Sequence, residues 1–340
     1  GVDPRVLRVM ATPLLGHLDP EFLEIMNETG DLLRYAFQTE NELTLPMSGT
    51  GSAGMDTVLS NLLEPGDKAI VAVCGVFGER MVDIARRCGA EVKVIEGEWG
   101  RIIEPEQVEA AFDELPGAKL LAIVHAETST GILQPLEEIA RIVHKRDALL
   151  VADCVTSLGG VPVLIDEWGI DAAYSGTQKC LSCPPGLAPV TFNQRAREVM
   201  HKRQTPVPSW YLDLTMIQRY WGKERFYHHT APISMVYALR EALRIIAEEG
   251  LEARWARHRL HARAFVAGLE AMGLETFAQA EHRLPSLITI RIPEGVEDAP
   301  VRQYLLDQFN IEIGGGLGPV KGQIWRVGLM GTNSNRKNVT

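Results

Sequence analysis

The chain has no long uninterrupted apolar run: its most apolar stretch, Leu149 to Ile165, is broken by Asp153 and by the pair Gly159 and Gly160. A helix that crosses a bilayer needs about 20 predominantly apolar residues, so no membrane span is expected. The opening GVDPRVLRVM has no apolar core of the kind a secretory leader carries, and no signal peptide is expected in it. Cysteine is scarce and odd in number, namely Cys74, Cys88, Cys154, Cys180 and Cys183. These lie mostly in apolar surroundings without paired spacing, which excludes a disulfide framework and fits a reducing cytosol, hence a cytoplasmic protein, with an organellar one left open by a trimmed N-terminus. Cys180 and Cys183 form a C-x-x-C, but no second Cys or His pair stands at zinc-like spacing, so both are read as ordinary small residues and no metal is expected. A basic excess is missing too: 34 Lys and Arg face 44 Asp and Glu, a net charge of -10. Spread along the chain, that balance argues against nucleic-acid and anionic-membrane partners while leaving room for a local pocket that takes a small anion.

What is present is a globular composition, 46% hydrophobic and 23% charged over 340 residues, enough for two lobes around a sizeable core. Short β-branched runs alternate with amphipathic helical stretches, the rhythm of a mostly parallel α/β sheet with helices on both faces. Strands are expected at Lys68 to Val73, Glu91 to Glu96, Lys119 to His125, Ala148 to Asp153, Asp171 to Ser175 and Ala188 to Phe192. Helices are expected at Ser52 to Leu63, Phe77 to Arg87, Glu104 to Glu114 and Leu136 to Lys145. Past Gln204 comes a Pro- and Trp-rich connector, then long helices at Ile233 to Glu249 and Leu251 to Met272. The remainder reads strand (286–292), helix (301–309), strand (311–313), the turn GGGLG and strand (323–329). This divides the chain into a large domain, 1–232, and a small C-terminal α+β domain, 233–340. The closing NSNRKNVT looks like the cap of a helix that does not follow, and both ends are expected to be trimmed.

Three places carry chemistry. SGTGSAG, Ser48 to Gly54, stands between an apolar run and a helix, so its free N–H groups and the hydroxyls of Thr50 and Ser52 suit a phosphate. A tight turn capped by Ser explains the same residues. Asp153 ends the most apolar strand, where ligands of open α/β sheets gather and where a carboxylate is costly to bury without a cation. A turn cap is the plainer reading of that residue. Lys179, in YSGTQKCLSCPPG, sits among small residues with no charged run around it, and burial would lower its pKa toward nucleophilic use. A carboxylate able to hold a pyridine nitrogen protonated, together with a lysine able to form a Schiff base, is the pair that pyridoxal phosphate requires.

Ser48 to Gly54, HAETSTG (125–131), VADCVTSLGG (151–160), SGTQK (175–179) and YHHT (227–230), in this order, resemble the class V, fold-type I aminotransferases, and within them the alanine–glyoxylate and serine–glyoxylate (serine–pyruvate) enzymes. The resemblance covers nearly the whole chain. It implies a pyridoxal 5'-phosphate cofactor carried by Lys179, which would also shuttle the substrate proton, and Asp153 paired with the ring nitrogen. It further implies Phe77 stacked on the ring where a Trp is frequent, Val155 beneath it, and Thr128 near the phenolic oxygen. Thr50, Gly51, Ser52 and Gln178 would hold the phosphate, Ser52 standing where some relatives have His. Tyr227 and Thr230 would reach the phosphate of a neighbouring subunit, making a homodimer part of the site. Arg326, in IWRVGLMG, would grip the substrate carboxylate with its planar fork; an edge-strand arginine is the plainer alternative. The Gly-Pro-rich N-terminal segment with which this family lines the pocket is missing from the chain.

The implied reaction is ping-pong transfer of an amino group from L-alanine or L-serine to glyoxylate, giving glycine and pyruvate or hydroxypyruvate. Other class V reactions (a phosphonate or phosphoserine aminotransferase, a lyase, a desulfurase) and a non-catalytic binding protein on the same fold are the alternatives. His228 and His229 are expected to point to opposite faces of a strand and to pack rather than bind metal. His17 is a minor candidate for facing the site.

Overall fold

A computed structural model describes residues 1–340. Its strands are β1 Leu43–Ser48, β2 Lys68–Val73, β3 Glu91–Glu96, β4 Leu120–Val124, β5 Ala126–Glu127, β6 Ile132–Leu133, β7 Leu149–Asp153, β8 Ala172–Tyr174, β9 Leu187–Phe192, β10 Leu287–Arg291, β11 Gly314–Gly315 and β12 Ile324–Gly328. The helices are α1 Pro4–Met10, α2 Pro20–Phe37, α3 Gly51–Leu62, α4 Val76–Arg87, α5 Pro105–Glu114, α6 Glu137–Lys145, α7 Ile165–Trp168, α8 Gln194–His201, α9 Leu214–Trp221, α10 Ile233–Glu249, α11 Leu251–Ala271, α12 Asp298–Phe309 and α13 Arg336–Val339. A seven-stranded sheet runs β1-β9-β8-β7-β4-β2-β3. Its members are parallel except β9, which is antiparallel to both β1 and β8.

The central strands β4 and β7, LLAIV and LLVAD, are buried at every position, the continuous apolar run that a parallel sheet covered on both faces demands. Alternate residues divide between two cores. Ile70, Leu121, Ile123 and Leu150 meet α1, α2, α5, α6 and α10 on one face, while Val71, Leu120, Ala122 and Val151 meet α3, α4 and α8 on the other. The edge strand β3 is the one with a charged, half-open pattern, which blunts it against pairing with other chains. Gly54 lets α3 lie close to the sheet: a Cβ there would come 3.0 Å from the Ala188 Cβ and 3.2 Å from that of Tyr174.

The expected elements appear within a residue at either end, with three differences. α12 starts earlier, at Asp298, and the strand expected at 311–313 is absent. Asn310 closes α12 in a left-handed conformation and the Ile311 N–H turns back to the Leu305 carbonyl at 3.1 Å, so ladder pairing begins only at Gly314. The final residues do make a short helix, α13, capped by Asn335. Five helices were not expected: α1, α2, α7, α8 and α9. α2 is capped by the Asp19 carboxylate on Glu21 N, starts on Pro20, and buries Phe22, Ile25, Met26, Leu33 and Phe37 at helical spacing. α10 packs on α1 and α2 and shares their core, whereas α11 joins the three-stranded sheet β10-β12-β11 through Ala262, Val266 and Leu269. No helix is long and apolar enough to cross a membrane.

Candidate active site

Because β1, β2, β4, β7 and β8 are parallel to one another, their carboxyl ends open on one edge of the sheet, and each delivers residues to the same cavity of about 120 Å³. β1 leads into Thr50, Gly51, Ser52 and Met55; β2 into Phe77 and Arg80; β4 into Ala126 and Thr128. β7 supplies Asp153, Val155 and Thr156, and the turn after β8 supplies Gln178 and Lys179. Ten of the sequence-derived residues are thereby together: Thr50, Gly51, Ser52, Phe77, Thr128, Asp153, Val155, Gln178 and Lys179 line the cavity itself, and Arg326 reaches its rim through Thr128.

Asp153 is buried, and its two oxygens accept from Val155 N at 2.9 Å and from the Tyr174 hydroxyl at 2.8 Å. The turn-capping role read from sequence is thus real, but it occupies only one oxygen. No cation touches the carboxylate, and burial pushes its pKa up to about 6. Lys179 is half-buried, and its amine is held below the ordinary lysine value, first by burial and then by the nearby Arg326 charge. The N–H groups of Gly51 and Ser52 at the start of α3 find no acceptor, and Thr50 makes no capping bond with its side chain. Close packing holds that helix end: a Cβ on Gly51 would stand 3.3 Å from Val155 Cγ2.

These features fit pyridoxal phosphate. A buried carboxylate without a cation suits a protonated ring nitrogen, a helix start with unused donors suits a phosphate, and an amine of lowered basicity suits the aldehyde.

Arg326 lies on β12, which is the central strand of the small sheet, so it is not an edge-strand residue. Its Nε donates to Gly315 O at 2.7 Å and its Nη1 reaches Thr128 O at 3.4 Å, bridging the small sheet to the cavity rim. Tyr227 and Thr230 do not join the cavity: both are exposed, with Tyr227 52% accessible. The histidine pair departs from expectation. Residues 227–230 form no strand, and His228 Nδ1 faces His229 Nδ1 at 2.7 Å while His229 Nε2 meets Ser48 Oγ at 2.8 Å. His17 lies in the same area, its ring 5.2 Å from that of Tyr227, away from the cavity.

Sequence reasoning missed Met55, Arg80, Val124, Ala126 and Thr156 on the cavity wall, and Tyr174 behind it. It also passed over Glu127, which is buried beneath the start of α4 and accepts from Phe77 N at 3.2 Å and from Ser129 N at 3.0 Å, fixing the turn that presents Phe77. The acidic residue inside HAETSTG was the available signal for Glu127.

The profile of the class V aminotransferases matches residues 10–332. The (S)-ureidoglycine–glyoxylate transaminase of Bacillus subtilis (strain 168) is 43% identical, over 99% of this chain and 85% of its own length. An alanine–glyoxylate aminotransferase of Drosophila melanogaster is 42% identical, over 98% of this chain and 86% of its own. Among solved structures, an alanine–glyoxylate aminotransferase from Nostoc sp. superposes with a TM-score of 0.98 at 49% identity, covering 100% of this chain and 90% of that one.

Proposed function

The chain belongs to the class V aminotransferase family, and from that premise we propose that it transfers an amino group from a small α-amino acid to glyoxylate, with the cavity at the sheet's carboxyl edge as its active centre. The enzyme is a pyridoxal-phosphate-dependent transaminase of the fold-type I architecture. When bound, the cofactor supplies an electron sink for the carbanion left at the donor's Cα and carries the amino group between the two half-reactions. The observation that carries the assignment is the pairing, on one wall, of a buried Asp153 that has no cation with a Lys179 amine of lowered basicity.

Each residue then has a task. Asp153 holds the ring nitrogen in its protonated state. Lys179 takes the proton from the donor's Cα and returns it, which requires a free amine near neutral pH, and its lowered pKa favours that form. Phe77 and Val155 would pack against the ring and Thr128 would serve its phenolic oxygen, while Thr50, Gly51, Ser52 and Gln178 would hold the phosphate. Arg326 offers a planar fork to the carboxylate of donor and acceptor.

The exposure of Tyr227 and Thr230, and their distance from their own chain's cavity, support a homodimer in which each copy lends these two hydroxyls to the other's phosphate site. The organisation into 1–232 and 233–340 belongs to the same reading, with α10 as the joint between the large sheet and α11. All five cysteines are free and buried, which supports a reducing, cytoplasmic setting and speaks against a desulfurase, whose chemistry needs an accessible loop thiol. L-alanine and L-serine are the donors expected from the sequence, and the Bacillus relative adds (S)-ureidoglycine.

A half-reaction followed by absorbance tests this. Each donor is added to the loaded enzyme without an oxo acid, and glyoxylate follows. The expected result is conversion of the bound cofactor's band to that of its amine form by at least one donor, and recovery of the original band with glyoxylate. A band that no donor alters, or that glyoxylate fails to restore, defeats the substrate reading.

A further inference from the structure

One guanidinium on the cavity wall has no role in the account above. Arg80 projects from α4 one turn beyond Phe77, with its guanidinium carbon 5.1 Å from the centroid of the Phe77 ring. Its Nη1 donates to Ser52 Oγ at 3.1 Å, across the start of α3.

Charge balance gives this placement its meaning. A phosphate monoester brings close to two negative charges near neutral pH. Thr50, Gly51, Ser52 and Gln178 carry no formal charge, and the end of α3 contributes only about half of one. Among the residues that line the cavity, Lys179 and Arg80 are the two cations, and Lys179 is committed to the reacting carbon. Arg80 is uncommitted: Asp83, one turn further along α4, pairs with Arg87, and the hydrogen bond that Arg80 makes is to a neutral hydroxyl. Ser52 Oγ accepts from Arg80 and so keeps its own proton to donate outward, while the face of Phe77 steadies the cation.

We propose that Arg80 is a phosphate-gripping residue of this site, supplying the full positive charge that the α3 start lacks and aiming the Ser52 hydroxyl at the same anion. The inference rests on the cofactor reading of the preceding section.

The test compares two probes on the cofactor-free full-length enzyme, pyridoxal phosphate and pyridoxal, which differ by the phosphate alone. Dissociation constants are measured by absorbance titration for the wild type, Arg80→Gln and Arg80→Lys, with thermal melts to verify folding. The expected result is that Arg80→Gln weakens pyridoxal phosphate by about 10- to 100-fold, the worth of a charge-assisted contact. Pyridoxal affinity stays within about twofold, and Arg80→Lys falls between the other two because it keeps the charge and loses the fork. Equal losses for both probes would mean that Arg80 acts through the ring of Phe77, and would overturn the proposal, as would undiminished phosphate affinity in Arg80→Gln. A wild type that takes up neither probe defeats the cofactor reading itself, an outcome distinct from failure of the Arg80 assignment.

Discussion

The two ends of the large sheet each bury an aspartate, and they treat it in opposite ways. At the amino end, directly before β8, Asp171 accepts from Arg195 Nη1 at 3.0 and 3.2 Å, from Asn193 Nδ2 at 2.8 Å and from Leu150 N at 2.8 Å, with His144 Nε2 at 3.0 Å. At the carboxyl end Asp153 has one backbone N–H and one phenol, and no cation. Both are buried, so desolvation weighs on both, yet only one is neutralised from within the chain. A buried carboxylate that serves the fold is met from within the chain, by a cation as at Asp171 or by a full set of N–H and O–H donors as at Glu127. One left without either is a place where the counter-charge arrives with a ligand.

The largest expected effect lies opposite the unpaired aspartate. Lys179→Ala should lower turnover by about 10⁴-fold, since it removes the group that moves the proton, while the melting temperature stays where it was. Substantial turnover in that variant, measured by the donor half-reaction, would sink the assignment. Next come the two aspartates themselves. Asp171→Ala should cost about 3–5 kcal/mol of stability, because Arg195 and Asn193 lose their shared acceptor, and should leave the site's chemistry intact in the protein that remains folded. Asp153→Asn should do the reverse, lowering turnover by about 10²–10³-fold without destabilising the cofactor-free protein. Chemical denaturation beside single-turnover rates gives both values, and equal stability losses would erase the distinction.

A third test sharpens it through pH. The folded-state pKa of Asp153 is pushed up to about 6 from an ordinary 3.8, so the native cofactor-free protein binds more protons than the unfolded chain between these values. Stability tied to this group therefore falls as pH rises through that window: the penalty is fully present above pH 6 and gone below 3.8. It amounts to about 3 kcal/mol. Carboxylates held down by arginine, such as Glu249 beside Arg257 and Arg254, slope the opposite way, so the quantity to measure is the difference between wild type and Asp153→Asn from pH 4 to 7.5. A flat difference would mean that the carboxylate is not strained by burial.

Much of this contrast was legible in the chain. The βα rhythm placed the strands, and a carboxylate closing LLVAD and a lysine isolated among small residues were visible as an unusual pair. What stayed hidden were relations across strands and between helices. β9 runs antiparallel amid parallel neighbours, and nothing in LAPVTF encodes its direction. Tyr174 reads as one more core aromatic until β7 and β8 pair in a register that sets it beside Asp153. Arg80 looks like a solvated helix residue until α4 and α3 meet at their starts. The histidines of YHHT read as strand alternation, whereas the loop folds them against each other and onto Ser48. Local pattern specifies elements; register and helix packing, which depend on the whole core, specify who touches whom.

The smallest effect tests the least legible of these contacts. The Tyr174 hydroxyl donates to Asp153 Oδ2 at 2.8 Å, the one side-chain bond that helps hold the carboxylate charged, and burial keeps the phenol itself protonated. Tyr174→Phe removes the donor and nothing else from the packing, so the cost in stability should be about 1 kcal/mol. The diagnostic readout is the titration: with one hydrogen bond fewer, the Asp153 pKa must rise further, and the midpoint of the pH-dependent stability difference should move to higher pH, with a turnover loss of about tenfold. If the midpoint stays near 6, Tyr174 is a packing residue, and the carboxyl end of the sheet then holds Asp153 by Val155 N alone. A shifted midpoint makes Tyr174 the positioning residue that keeps the unpaired aspartate ionised until its cation comes.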